Sequence, residues 1–187
     1  MITSSLISMI DKKIGVVHGD IKPANVLIFE NGPGQYVARV ADFGYSTLFS
    51  GVDGLVFMPR SPHWTAPEWH HRAICSASAV EMDVYSFGML CLWHLFYHGG
   101  ENVHRNFHED LELEKEPLNL AHHFVIGLTC VSDEQRHLLH QIFELSLAID
   151  PAKRCSNCGQ LGYFLAPDRY GLRSPLENLF YLQRPGF

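Results

Sequence analysis

The chain has 187 residues, enough for one domain that buries most of its apolar surface. Hydrophobic residues make up 47% and charged residues 18%, which excludes a disordered chain, while a formal charge of −6 without a basic run argues against a nucleic-acid or anionic-membrane partner. Residues 1–6 lack the charged start, apolar run and small-residue cleavage site of a secretory signal, and the longest apolar stretch, 84–97, is too short to span a bilayer; an intracellular, cytoplasmic protein with no transmembrane segment is expected.

Ile2, Leu6, Met9 and Ile10 fall on one helical face and predict a helix over 2–13, stopped by Gly15. Residues 26–30 and 36–41 are rich in β-branched and aromatic types and flank the turn signal Asn31-Gly32-Pro33-Gly34, which predicts a β-hairpin. Residues 45–65 carry neither the strand nor the helix period and are punctuated by Gly51, Gly54, Pro59 and Pro62. They predict a long loop, and loops of that length in compact domains are usually functional.

The remainder reads as helical. Ser78-Ala79-Val80-Glu81 has the capping-box pattern and should open an apolar core helix that closes at Gly99-Gly100. The acidic stretch 109–116, ending at Pro117, reads as a solvated face or a loop. A second capping-box pattern, Ser132-Asp133-Glu134-Gln135, leads into Leu138, Leu139, Ile142, Phe143, Leu145 and Leu147 on helical spacing, and Asp150-Pro151 should end that helix. The expected fold class is mainly α with a small β-hairpin.

Five cysteines are an odd number without a disulfide rhythm. Cys155 and Cys158 alone have metal-binding spacing, and a zinc site needs two further ligands that no nearby pattern supplies, so ordinary buried or surface thiols are expected. Among the twelve histidines, the doublets His70-His71 and His122-His123 do not share a helical face and read as surface residues.

The chemistry lies in His18-Gly19-Asp20-Ile21-Lys22-Pro23-Ala24-Asn25, followed by Asp42-Phe43-Gly44 and Ala66-Pro67-Glu68. Transfer of a phosphoryl group asks for a carboxylate to orient the attacking hydroxyl, positive charge on the transferred group, and hard oxygen ligands for Mg²⁺. Asp20, Lys22, Asn25 and Asp42 supply one base, one cation and two metal ligands.

These motifs together resemble the protein kinase catalytic loop H-R-D-x-K-x-x-N and the magnesium loop D-F-G, with the strand 39–41 leading into Asp42 as that pattern requires. The resemblance implies a protein substrate and ATP with Mg²⁺. It implies Asp20 as acceptor of the substrate hydroxyl proton, Lys22 on the transferred phosphoryl, and Asn25 with Asp42 on Mg²⁺. Asp20, Lys22 and Asn25 would be the catalytic set; Lys22, Asn25, Leu27, Ala41 and Asp42 would meet the nucleotide, Leu27 and Ala41 as floor of the adenine pocket. Ala66-Pro67-Glu68 and Asp150-Pro151-Ala152-Lys153-Arg154 resemble the family's structural motifs, implying a buried Glu68–Arg154 ion pair. Asp83, in Met82-Asp83-Val84-Tyr85-Ser86-Phe87-Gly88, would accept hydrogen bonds from backbone amides of the catalytic loop. Lys22 and Ser61, the latter implied to bond near the base, favour serine/threonine specificity of the tyrosine-kinase-like type.

Two departures shape the expectation. Gly19 stands where an arginine commonly precedes the catalytic aspartate and pairs with a phosphorylated residue, so Ser46, Thr47 and Ser50 are weaker switch candidates. The sequence also shows no G-x-G-x-x-G and no V-A-I-K lysine. The resemblance therefore implies a large, C-terminal kinase lobe over residues 1–165, without the N-terminal lobe, followed by a tail over 166–187. Such a fragment or truncated product would be competent only when joined to the other lobe. A partner or that lobe would cover the surface facing it. The alternative is a non-catalytic kinase-like binding or scaffold module.

Overall fold

Backbone pairing joins segments that lie far apart in the chain. In the computed structural model, which describes residues 15–33, 36–49, 55–70, 73–97, 103–129, 131–156, 158, 160 and 161, the chain opens with β1 (Gly15–Val17). The helix expected over 2–13 and the tail over 166–187 lie outside the described residues. Next come β2 (Val26–Glu30) and β3 (Tyr36–Val40), the expected hairpin, with Val26 opposite Val40 and Glu30 opposite Tyr36. Leu27, Ile28, Phe29 and Tyr36 on this ribbon are each about half exposed.

The segment 45–65 is not the uninterrupted loop its composition predicts. A short 3-10 turn, Phe43–Tyr45, precedes β4 (Thr47–Phe49), which pairs antiparallel with β1. Then β5 (Leu55–Val56) pairs with β6 (Ile74–Cys75). Strands of two or three residues are too short to show a period, and their partners are distant in sequence, so only the assembled chain reveals them.

Helix α1 (Ser76–Phe96) is the core helix, and it starts before the Ser78 capping box expected from the sequence. Cys75, still extended at φ −64° and ψ 147°, is its N-cap, without a side-chain cap bond. The pairing of β6 with β5 dictates where the backbone stops being extended, and the helix follows at once. It ends at Phe96 with Tyr97 as C-cap, ahead of the expected Gly99-Gly100. Val84, Phe87, Leu90, Leu92 and Leu95 are buried, as an apolar helix in the middle of a domain requires.

The acidic stretch is helical: α2 (Val103–Glu114) carries exposed Glu112, Leu113 and Glu114 and is anchored by fully buried Phe107. Lys115, at φ 59°, turns the chain into α3 (Pro117–Gly127), where Pro117 occupies the first turn. The second capping box forms as expected at α4 (Asp133–Leu147). Gln135 N–H donates to Ser132 Oγ at 3.2 Å, and Ser132 N–H donates to Gln135 Oε1 at 2.8 Å. Asp150-Pro151 does not end α4, which stops at Leu147. Asp150 instead caps a 3-10 turn, Pro151–Lys153, by accepting from Ala152 N–H at 3.1 Å.

The core lies between α1, α3 and α4. A Cβ built on Gly88 of α1 would lie 2.7 Å from Ser146 Cβ and 2.8 Å from Leu147 Cδ2, so glycine allows the α1–α4 contact. His122 does not read as free surface: its Nδ1 lies 2.5 Å from His140 Nδ1, bridging α3 and α4. No helix among the described residues is long and apolar enough to cross a membrane.

Candidate active site

The segment 18–25 leaves β1 and is held from below by α1. Both oxygens of Asp83 are used: His18 N–H donates to Oδ2 at 2.6 Å and Gly19 N–H to Oδ1 at 2.9 Å. Burial pushes the Asp83 carboxyl up to about 7, against the two backbone donors, which favour its ionised form. Gly19 needs its lack of a Cβ: φ is +84°, and a Cβ there would lie 3.2 Å from Tyr45 O.

Asp20, 6% exposed, is the point where the side chains converge. Lys22 Nζ donates to its Oδ2 at 2.6 Å, Ser61 Oγ donates to its Oδ1 at 2.6 Å, and Asn25 Nδ2 donates to its carbonyl at 2.8 Å and its Oδ2 at 3.1 Å. Lys22 Nζ also reaches Ser61 Oγ at 3.1 Å. Burial alone would raise the Asp20 carboxyl, but the bonds from Lys22, Ser61 and Asn25 outweigh it and hold the group below its ordinary value. Asp20 is therefore ionised at neutral pH.

Asp42 joins this cluster through the backbone. Asn25, at the end of a 3-10 turn opened by Pro23, accepts the Ala41 amide on its own carbonyl at 2.8 Å. His18 Nε2–H donates to the Ala41 carbonyl at 3.0 Å, and its Nδ1 accepts from Asp20 N–H at 3.3 Å. Burial lowers the His18 pKa, which keeps the ring neutral in the tautomer that can make both bonds. His18 belongs to the catalytic-loop motif but has no chemical task in it. Its signal is position alone, and only the fold shows that it braces one strand end to the other.

Asp42 is itself exposed at φ 62° and ψ 71°, and its Oδ1 accepts from Gly44 N–H at 3.3 Å. The structure thus brings Asp20, Lys22, Asn25 and Ser61 into direct contact, whereas the Asp42 carboxylate bonds within its own turn. Leu27 lies opposite Arg39, two residues before Ala41, so Leu27 and Ala41 project to one side of the ribbon. Leu27 is 47% exposed and Ala41 is half-buried.

The ion pair expected downstream has formed. Arg154 Nη1 meets Glu68 Oε1 at 2.5 Å and Nη2 meets Oε2 at 2.9 Å, with the arginine side chain fully buried and that of Glu68 25% exposed. Ser86 of α1 adds a tie that the sequence did not single out, donating from Oγ to the Trp64 carbonyl at 2.8 Å. Cys155 and Cys158 are both buried, and burial pushes the Cys158 thiol well above its ordinary range. Among the described residues no three His, Cys, Asp or Glu side chains are grouped to hold a metal ion.

Comparison with known proteins agrees with this geometry. The family model described as "protein kinase domain" matches residues 4–162. A probable myosin light chain kinase of Dictyostelium discoideum is 31% identical over 135 residues, covering 65% of this chain and 33% of that protein. A leaf rust disease-resistance locus receptor-like protein kinase of Arabidopsis thaliana is 30% identical over 150 residues, covering 79% of this chain and 19% of that protein. The brassinosteroid LRR receptor kinase of Solanum lycopersicum is 35% identical over 80 residues, covering 41% of this chain and 6% of its own length. The chain therefore spans a third or less of each of these relatives. With a domain match over most of its length, and with its motifs meeting in space around Asp20, the chain belongs to the protein kinase family.

Proposed function

We propose that residues 1–165 are the large, C-terminal lobe of a serine/threonine-type protein kinase, with 166–187 as a tail. Joined to a lobe that cradles the nucleotide, it transfers the γ-phosphoryl group of ATP to a Ser or Thr hydroxyl of a protein. The observation that carries this reading is the convergence of Lys22, Ser61 and Asn25 on the Asp20 carboxylate.

A carboxylate with a lowered pKa is a weak base, and its main work is to orient the attacking hydroxyl and take its proton on Oδ1 or Oδ2 as the bond to phosphorus forms. Lys22, already poised on Asp20, is the cation for the transferred group. Asn25 and Asp42 fit Mg²⁺: both offer hard oxygens, and the side-chain bonds of Asn25 run through Nδ2, so that among the described residues its amide oxygen accepts nothing. When bound, Mg²⁺–ATP supplies the phosphoryl group and neutralises its charge. Leu27 and Ala41, on one side of the ribbon, suit the flat apolar face of adenine. The apolar exposure of Leu27, Ile28, Phe29 and Tyr36 supports a second lobe seated there. The same exposure suits the alternative of a non-catalytic docking module.

The test is phosphoryl transfer from labelled ATP by the 187-residue chain, alone and fused to the glycine-rich lobe of a relative. Transfer is expected only from the fusion and is lost in Asp20→Asn and Asp42→Ala. An Asp20→Asn fusion as active as its parent would overturn the reading, and an inactive but folded fusion would favour the docking module.

A further inference from the structure

The segment beside Asp20 is pinned on both sides of Arg60. Upstream, Trp69 Nε1–H donates to the Met58 carbonyl at 3.0 Å. Downstream, Ser61 N–H donates to Thr65 Oγ1 at 2.8 Å, and that hydroxyl donates back to Ser61 O at 2.8 Å. The amides of Trp64 and Thr65 both donate to Ser61 O at 3.0 Å. Pro59 and Pro62 restrict φ on either side.

Arg60 itself is exposed, with its guanidinium 5.9 Å from the centroid of the Trp69 ring. Among the described residues no carboxylate pairs with it, while Glu68 is held by Arg154 and Asp20 by Lys22. In a chain of net charge −6, this is an uncompensated cation on a rigid mount. It stands one residue from Ser61, whose Oγ lies 2.6 Å from Asp20, and consecutive Cα atoms are about 3.8 Å apart.

We propose that Arg60 recognises an anionic side chain, carboxylate or phosphate, within a residue or two of the acceptor hydroxyl in the protein substrate. The inference rests on the reading of Asp20 as the group that meets that hydroxyl. The guanidinium lies within cation–π distance of the Trp69 ring, and its planar fork of N–H donors suits bidentate recognition of a carboxylate or phosphate, the geometry in which arginine differs from lysine. Because its backbone is pinned, little further ordering is needed on binding.

The experiment measures binding of labelled serine peptides to the 187-residue chain by fluorescence anisotropy. The position after the serine carries glutamate, phosphoserine, alanine or lysine. The two anionic peptides should bind roughly three- to tenfold tighter than the alanine peptide, with the gap shrinking at high salt. Arg60→Ala should remove the gap, Arg60→Glu should turn the preference toward the lysine peptide, and Lys115→Ala should leave it intact. Circular dichroism checks that each variant is folded. A gap that survives Arg60→Ala, equal binding of all four peptides, or no binding of any would overturn the proposal. Peptide binding needs no nucleotide. Transfer by the fusion without anion preference therefore sinks this inference alone, and anion preference without transfer by the fusion sinks the catalytic reading alone.

Discussion

Replacing Arg154 by methionine removes a side chain whose five N–H donors are all engaged. Beyond the two bonds to Glu68, Nε donates to Ala148 O at 2.8 Å, Nη1 to Glu81 O at 3.2 Å and Nη2 to Ile149 O at 3.2 Å. The guanidinium also lies 4.8 Å from the Tyr85 ring centroid. Methionine fills part of the volume but leaves a carboxylate without its counter-charge and takes a donor from each of three carbonyls. Breaking one side of a buried pair costs about 3–5 kcal/mol. For a chain of this size that is a fall in Tm of roughly 6–20 °C, at about 2–4 °C per kcal/mol. Glu68→Gln keeps the shape and strands the cation instead. Because the arginine side chain is fully buried while that of Glu68 is 25% exposed, a loss of about 3 kcal/mol is expected here too. The double variant should lose less than the sum of the singles by at least ~1 kcal/mol, since the second change removes a charge already uncompensated. Urea unfolding followed by the fluorescence of Trp64, Trp69 and Trp93 measures all three. An Arg154→Met chain within ~1 kcal/mol of the parent, or strict additivity, would refute the argument.

Gly88→Ala and Gly127→Ala should move stability in opposite directions. At Gly88 the new methyl meets Ser146 and Leu147 of α4, and overpacking of about 1–3 kcal/mol exceeds the gain in helix propensity of about 1 kcal/mol. At Gly127 nothing lies within 4 Å of the new Cβ, so only the gain remains, up to ~1 kcal/mol; urea midpoints decide it, and two shifts of the same sign would contradict the packing argument. Asp83 makes stability pH-dependent. Its folded pKa of about 7 lies above the ordinary 3.8, so the folded state holds the proton more tightly. The Asp83 contribution should fall as pH rises from ~4 to ~7, by at most ~1.4 kcal/mol per pH unit, and be flat above. Asp83→Asn should flatten that slope in urea titrations across this range, and an unchanged slope would show that the buried carboxyl does not titrate there.

Much of this molecule follows from the sequence alone, for physical reasons that are local. The Asn31-Gly32 turn between β-branched runs needs nothing beyond its own strands. The Ser132–Gln135 capping box closes within its own four residues. Asp20, Lys22, Asn25 and Asp42 stand out because a chemistry that needs a base, a cation and hard oxygen ligands leaves few residue types to choose from, and the resemblance to kinase motifs implied Glu68, Asp83 and Arg154. Tertiary structure decided what depends on partners far along the chain. The Ser78 box lost to the β5–β6 pairing that starts α1 at Ser76. The loop over 45–65 acquired two strands because β1 and β6 were there to pair with them. His18 became a brace, and Gly88 a close contact, only when distant elements met. Arg60 shows the difference most clearly. In the sequence it is one arginine between two prolines; in the fold it is a cation with no carboxylate partner among the described residues, mounted on Trp69 beside Asp20.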